Sequence, residues 1–243
     1  MRIPRAYEPQ PLQIGDELWL SDQVHHHLVK VLRMQSGDSI YLFNGDGFDY
    51  LSQLSVVEKR RSQINVRSSL ARSSESPLKV EIGQGLSRGE RMDWAIQKAT
   101  ELGVYKITPL FTERSEVRLN VERQQKRSQH WRQVAVSSCE QSYRAMLPII
   151  DEPAYLADWI ANTDAELKLV MHPHSTPLLL ADIERPKSVA LLIGPEGGLE
   201  GAEVERARSL GFKPWLLGPR VLRTETAPVA ATAVLNYLWG DFT

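Results

Sequence analysis

Val189-Ala190-Leu191-Leu192-Ile193-Gly194-Pro195-Glu196-Gly197-Gly198 and, further on, Pro214-Trp215-Leu216-Leu217-Gly218-Pro219-Arg220-Val221-Leu222-Arg223-Thr224-Glu225-Thr226-Ala227 are the two stretches that decide how this chain is read. Each begins with a short apolar run, is bounded by turn residues and leads into a helical pattern. Both therefore read as buried parallel strands that open into loops at their carboxyl ends. In α/β sheets that is where ligands sit. The fold class is accordingly α/β, and the two glycine-bearing loops are the candidate site.

The loops match neither the GxGxxG nor the GxxxxGK[ST] phosphate fingerprint. Proline stiffens the first turn, while its glycines let a ligand approach the backbone with no Cβ in the way. Glu200, Glu203 and Glu205 follow at the start of the next helix. They suit the helix dipole but would repel a phosphate bound there, which argues against a polyphosphate ligand. An uncharged purine with a flexible cationic tail fits better, with Glu196 near the positive charge. Beyond the second loop, Thr226 or Ala227 caps a last helix whose Ala227, Ala230, Ala231, Val234, Leu235 and Leu238 form a small, apolar face.

Upstream, strands and helices alternate from Leu78 onward. Leu78 to Ile82 reads as a strand, Ser87 and Glu90 fit a capping box, and Met92, Ala95, Ile96, Ala99 and Leu102 keep helical spacing until Gly103. Tyr105 to Phe111 is a strand, and Val121 to Gln141 a long helix with Arg123, Lys126, Arg127 and His130 on one side. That side is most simply a solvated face, since Glu122 can pair with Lys126. A short helix over Pro153 to Ala161 and a strand over Leu167 to Met171 complete a parallel sheet covered on both faces.

Residues before about 70 have a different grammar. Strands around Asn44-Gly45-Asp46-Gly47 make a hairpin, Ser62 to Leu70 adds another alternating segment, and Val24, Leu28, Val31 and Leu32 recur at helical spacing. A small β-barrel with one helix is the economical reading. His25, His26 and His27 do not converge on one ion, because successive helical residues point about 100° apart; a surface or capping role is expected and no metal site. Lys59, Arg60, Arg61, Arg67 and Arg72 concentrate positive charge, either as a solvated edge or as a phosphate-contacting one. Ala71 to Pro77 reads as a linker.

With 243 residues, 42% hydrophobic and 24% charged, the chain is an ordinary globular protein near the size at which one domain becomes two. No apolar stretch resembles a signal peptide or a membrane span, so a cytoplasmic location is expected. The single Cys139 permits no internal disulfide. A net charge of -1 decides nothing about nucleic acid; only local clusters could.

Taken with Arg2-Ile3-Pro4-Arg5, Val31-Leu32-Arg33, Arg88-Gly89-Glu90-Arg91-Met92, Gln97 to Gly103 and Glu140-Gln141-Ser142, the two loops resemble those of the SPOUT methyltransferases. More narrowly, the whole chain is similar to the ribosomal RNA small-subunit methyltransferase E family. It departs at Glu200, where a small capping hydroxyl is expected. The resemblance implies a PUA-like β-barrel RNA-binding domain over residues 1–72 and a SPOUT α/β methyltransferase domain over 73–243 with a C-terminal deep trefoil knot, an exception to the rule of unknotted connections. It implies S-adenosylmethionine as cofactor, a homodimer formed through the knotted domain, and methylation of N3 of a uridine in 16S ribosomal RNA or the small ribosomal subunit.

Carried onto this chain, the resemblance places the cofactor against Met171, His172, Gly194, Pro195, Glu196, Gly197, Gly198, Leu217, Gly218, Leu222, Arg223 and Thr224. Arg223, as stabiliser of the imide anion, and Glu225, as proton acceptor, are the catalytic candidates. Arg2, Arg5, Arg33 and Arg88 are the expected RNA contacts, for positioning phosphates. Two other classes remain open at this stage: a non-catalytic RNA-binding protein associated with the ribosome, and a different nucleotide-using enzyme. Binding of S-adenosylmethionine separates both from a methyltransferase.

Overall fold

The computed structural model describes residues 3–117, 119–172, 178 and 180–242, which form two compact units. The first comprises residues 1–75 together with 139–147; the second comprises 76–138 and 148–243.

In the second unit, apolar runs with little polar interruption fold as strands buried on both faces. These are β6 (Lys79–Gly85), β7 (Lys106–Phe111), β8 (Ile149–Ile150), β9 (Ala154–Tyr155), β10 (Leu167–Met171), β11 (Ser188–Ile193) and β12 (Lys213–Trp215). All pair in parallel, in the order β12-β10-β11-β6-β7-β8, with β9 also on β7. The alternation of β11 shows how two cores arise. Val189, Leu191 and Ile193 join Met92, Ile96 and Trp131 from helices α2 (Arg91–Glu101) and α3 (Val121–Ser142), and Leu235 from α6 (Thr226–Trp239). Ala190 and Leu192 face the other way, onto Trp159 and Ile160 of α4 (Leu156–Asn162) and Val204 and Ala207 of α5 (Gly201–Ser209). Each fully buried Val, Leu, Ile or Met among these contributes about 1.5–3 kcal/mol relative to exposure.

The apolar positions of α6 recur every four residues at Ala227, Ala231, Leu235 and Trp239, which keeps them on one face against α2. On the same helix Asn236, almost fully buried, donates from Nδ2 to the Leu102 carbonyl at 2.7 Å. It thereby satisfies an acceptor at the carboxyl end of α2, where Gly103 takes φ +82° and stops the helix.

The first unit holds a five-stranded sheet, β1-β3-β4-β5-β2, built from β1 (Arg5–Tyr7), β2 (Glu17–Trp19), β3 (Ser39–Phe43), β4 (Phe48–Val57) and β5 (Ser62–Ala71). Only β1 and β3 pair in parallel. Gly45 and Gly47, both at φ +94°, turn the chain between β3 and β4, the hairpin that the Asn-Gly-Asp-Gly run predicts. A helical segment lies in this unit: α1 (Asp22–His25) runs directly into a π-helical stretch, His26–Val31.

Several expectations are corrected. Val24 and Leu28 are buried as the helical spacing implies, but Val31 and Leu32 are exposed, because the π-helical stretch changes the angular step and rotates them off the core face. His25 is neither a surface nor a capping group: it is buried, with Nδ1 2.8 Å from Ser62 Oγ. The helix expected from Pro153 starts only at Leu156, since Ala154 and Tyr155 pair with β7. Ser87 and Glu90 form no capping box. Glu90 stands at the N-cap with no side-chain cap bond, and Ser87 turns inward to Gly85 and Thr224. The linker expected over residues 71–77 begins one residue later, since Ala71 ends β5; residues 72–77 carry no regular element and contain the boundary between the units, with Arg72 tied to Asp49 at 2.6 Å.

Candidate functional site

The site forms where β10, β11 and β12 end. Their carboxyl ends and the loops beyond β11 and β12 surround a cavity of about 680 Å3, within the range that small-molecule sites occupy. Its wall contains Met171, His172, Gly194, Pro195, Glu196, Gly197, Gly198, Leu217, Leu222, Arg223, Thr224 and Glu225. Gly218, although expected there, is not part of the lining; it makes the turn at φ +76° between Leu217 and Arg220, which are.

Glycine is required at this end of the sheet by close approach. A Cβ on Gly85, the last residue of β6, would lie 2.5 Å from the backbone nitrogen of Pro195. One on Gly194 would lie 3.0 Å from the Gly198 carbonyl carbon and from the Leu199 nitrogen. The first loop is thus folded tightly on itself and pressed onto β6, leaving its backbone open to the cavity.

Thr224 binds the second loop to the first. Its hydroxyl donates to the Gly194 carbonyl at 2.7 Å and accepts from Gln84 Nε2 at 2.9 Å, and it is buried. Arg223, next to it, accepts at its carbonyl from the backbone N–H of Thr226 and Ala227, which fixes the start of α6. Its guanidinium is exposed on the cavity wall and makes no ion pair among the described residues. Glu225 is mostly buried; its Oε2 accepts no hydrogen bond and lies 3.9 Å from Arg91 Nε.

Three arginines that sequence reasoning did not assign to the site, Arg91, Arg114 and Arg220, also line the cavity. Arg91 Nη1 donates to Glu196 Oε1 at 2.8 Å, and the backbone N–H of Arg88 donates to the same oxygen at 3.0 Å. Burial alone would raise the Glu196 carboxyl, but its own and the Arg88 backbone N–H groups and the Arg91 guanidinium outweigh it and hold the group below the usual carboxylate range. The negative charge expected to face a cationic ligand is therefore already engaged by Arg91. Arg114 donates to the Gly197 carbonyl at 3.2 Å. Arg91 stands within the Arg88 to Met92 segment already singled out; Arg114 follows a strand end, the one local signal it carries.

The acidic start of α5 is resolved without a hydroxyl cap. Glu200 holds the N-cap, and Glu203 accepts from its backbone N–H at 2.8 Å in capping-box geometry.

Arg5 is not a surface contact for RNA. It is buried, bonds Asp49 at 2.9 Å and the Cys139 and Arg144 carbonyls at 2.6 and 2.7 Å, and stacks 3.7 Å over the Phe43 ring. Burial lowers its pKa against the opposing pull of Asp49. Arg33 is exposed, at the left-handed φ of 56°, and Arg88 is exposed and pairs with Glu116 at 2.8 Å. Arg2 lies outside the described residues. The basic side of α3 is solvated as expected, with Lys126 on Glu122. A separate cleft of about 640 Å3 lies at the opposite, amino-terminal end of the strands, where Lys106 pairs with Glu81 and Asp151. Its lining sets Lys79 and Lys106 against Glu81, Asp151, Glu152, Asp158 and Asp164, a net negative surface, and includes no glycine.

The RNA methyltransferase domain model matches residues 74–236, and the RNA methyltransferase PUA domain model matches residues 20–67. The chain belongs to the ribosomal RNA small subunit methyltransferase E family. It is 38% identical to that methyltransferase of Buchnera aphidicola subsp. Schizaphis graminum, over 99% of this chain and 98% of the relative. The Bacillus subtilis member is 34% identical, over 87% and 86%. Among solved structures, the Neisseria gonorrhoeae methyltransferase E bound to S-adenosyl methionine superposes with a TM-score of 0.93 at 37% identity, covering all of both chains. The SPOUT α/β fold and the PUA domain expected from the family resemblance are thereby borne out.

Proposed function

We propose that this protein uses S-adenosylmethionine to methylate N3 of a uridine in the 16S ribosomal RNA of the small ribosomal subunit. The observation that carries this reading is the cavity itself: it gathers the residues expected around the cofactor, Gly218 excepted, in a family whose solved member holds that molecule. The residues present fit such a ligand. Gly194, Gly197 and Gly198 line the cavity with no side chain to keep a planar base from the loop backbone, and Met171, Leu217 and Leu222 supply apolar walls.

When bound, the cofactor supplies an electrophilic methyl group. The chain's own part is to hold the uridine in line and to stabilise its deprotonated imide, because the protonated nitrogen is a poor nucleophile. Arg223 is assigned to the anion, its unpaired guanidinium being available at the cavity wall. Glu225 is assigned to the proton, since Oε2 has an unused acceptor. Arg33 and Arg88, with Arg2, are assigned to RNA phosphates.

The same reading assigns residues 1–72 to RNA binding and 73–243 to methyl transfer, a trefoil knot to the carboxyl-terminal region, a homodimer to the assembly and the cytoplasm to its location. Calorimetry with S-adenosylmethionine, followed by mapping of methylated uridines in rRNA from cells lacking the protein, tests it. Absence of cofactor binding to folded protein overturns it in favour of a non-catalytic RNA-binding role.

A further inference from the structure

At the buried carboxyl end of β6, Gln84 is a lone amide flanked by two glycines, and it is 1% exposed. A Cβ on Gly83 would collide with the Trp159 ring at 2.7 Å, and one on Gly85 with Pro195 at 2.5 Å. The end of β6 therefore touches the first cofactor loop through Gly85 and the second through Gln84. Gln84 Nε2 donates to Thr224 Oγ1 at 2.9 Å, 140 residues away in the chain. Because the Thr224 proton goes to the Gly194 carbonyl, the amide is what supplies the donor that Thr224 still accepts. Ser87 Oγ, 3.3 Å from the same oxygen, packs beside it. Gln84 Oε1 accepts no hydrogen bond, so the amide is held in this orientation by its donors alone.

We propose that Gln84 is a positioning residue for methyl transfer: acting through Thr224, it sets the loop that carries Arg223. The proposal rests on the function assigned above. Thr224 keeps its bond to Gly194 when Gln84 is lost, so the cofactor wall persists while the orientation of Arg223 relaxes. The loss thus falls on turnover and not on cofactor affinity.

The test uses Gln84→Met, which keeps length and removes the donor, with Gln84→Glu as a second variant should the first fail to fold. Each is compared with Thr224→Val and the corresponding double variant. The expected result is a fall in kcat of at least about tenfold with KM for S-adenosylmethionine changed less than about threefold. In the Thr224→Val background the Gln84 change should add little, since a group acting through another loses its effect with it. Hydrogen exchange on the cofactor-free proteins should show faster exchange of the Thr226 and Ala227 amides, both bonded to the Arg223 carbonyl. Unchanged kcat, or full additivity with Thr224→Val, overturns the proposal. So does unchanged exchange, whatever the catalytic result. If the unaltered protein neither binds cofactor nor transfers methyl, the assigned function fails instead, and the exchange experiment alone still decides whether Gln84 holds the loop.

Discussion

The hydroxyl of Thr224 donates to the carbonyl oxygen of Gly194 at 2.7 Å, so the two glycine-bearing loops share one buried hydrogen bond across thirty residues of chain. Thr224→Val keeps the shape and removes the donor. Gly194 then loses its partner and Gln84 its acceptor, and a buried unmet group costs about 1–3 kcal/mol. The denaturant midpoint should fall correspondingly with an unchanged m-value.

Gly85→Ala tests the contact beneath the first loop. A Cβ 2.5 Å from the Pro195 nitrogen cannot be accommodated by a rotating side chain, because the obstacle is backbone. Overpacking of this kind costs about 1–3 kcal/mol, and here it displaces the wall of the cavity. Cofactor affinity measured by calorimetry should weaken by tenfold or more, whereas Gly201→Ala, with open space around it, should leave affinity unchanged.

Arg223→Ala should lower kcat by roughly a hundredfold, the loss typical of one donor to a developing anion, with little change in cofactor Kd. Single-turnover methylation of rRNA alongside calorimetry checks both halves. Equal losses in both would assign Arg223 to binding.

Glu196 provides a pH signature. Its native pKa is depressed, so it favours the folded loop at pH above its ordinary value of 4.5, and that contribution disappears as pH falls through the native value. The stability difference between the native protein and Glu196→Gln should therefore be largest near neutrality and vanish in acid. Partial exposure of the carboxylate keeps the difference small.

Cys139 has the opposite sign. Burial pushes its thiol up to about 11, so folding favours the protonated form, and that preference is lost as pH rises from the ordinary value of 9.0 toward the native one. At pH 8 the thiol should resist alkylation in the folded protein and react promptly once unfolded, a contrast mass spectrometry resolves.

Long elements were legible in the sequence because their periods repeat. The apolar positions of α2 and α6 and the hairpin around Gly45 follow from spacing and turn chemistry alone. β1 and β2 were not, since three residues carry no period. The glycine loops announced the cavity, but Arg91 and Arg114 reach it, and Gln84 reaches Thr224 in its wall, from elements far away in the chain. A signal existed for Gln84: an amide between two glycines at the end of a strand whose Val80 and Ile82 enter the core. Arg5 misled for the converse reason. Its buried acceptors, Asp49 and the carbonyls of Cys139 and Arg144, lie 44 to 139 residues away, and no local pattern distinguishes it from a surface arginine.

Those acceptors also set an order of assembly. Two of the three groups that Arg5 bonds belong to residues 139–147, so the amino-terminal unit cannot complete its interior when β5 leaves the ribosome. At bacterial synthesis rates it waits on the order of ten seconds for the missing segment. A fragment ending at residue 72 would keep Asp49 and lose both carbonyls, leaving the guanidinium with one of its three bonded partners. The piece of chain made first therefore closes its interior only after a segment made some seventy residues later has been delivered to it.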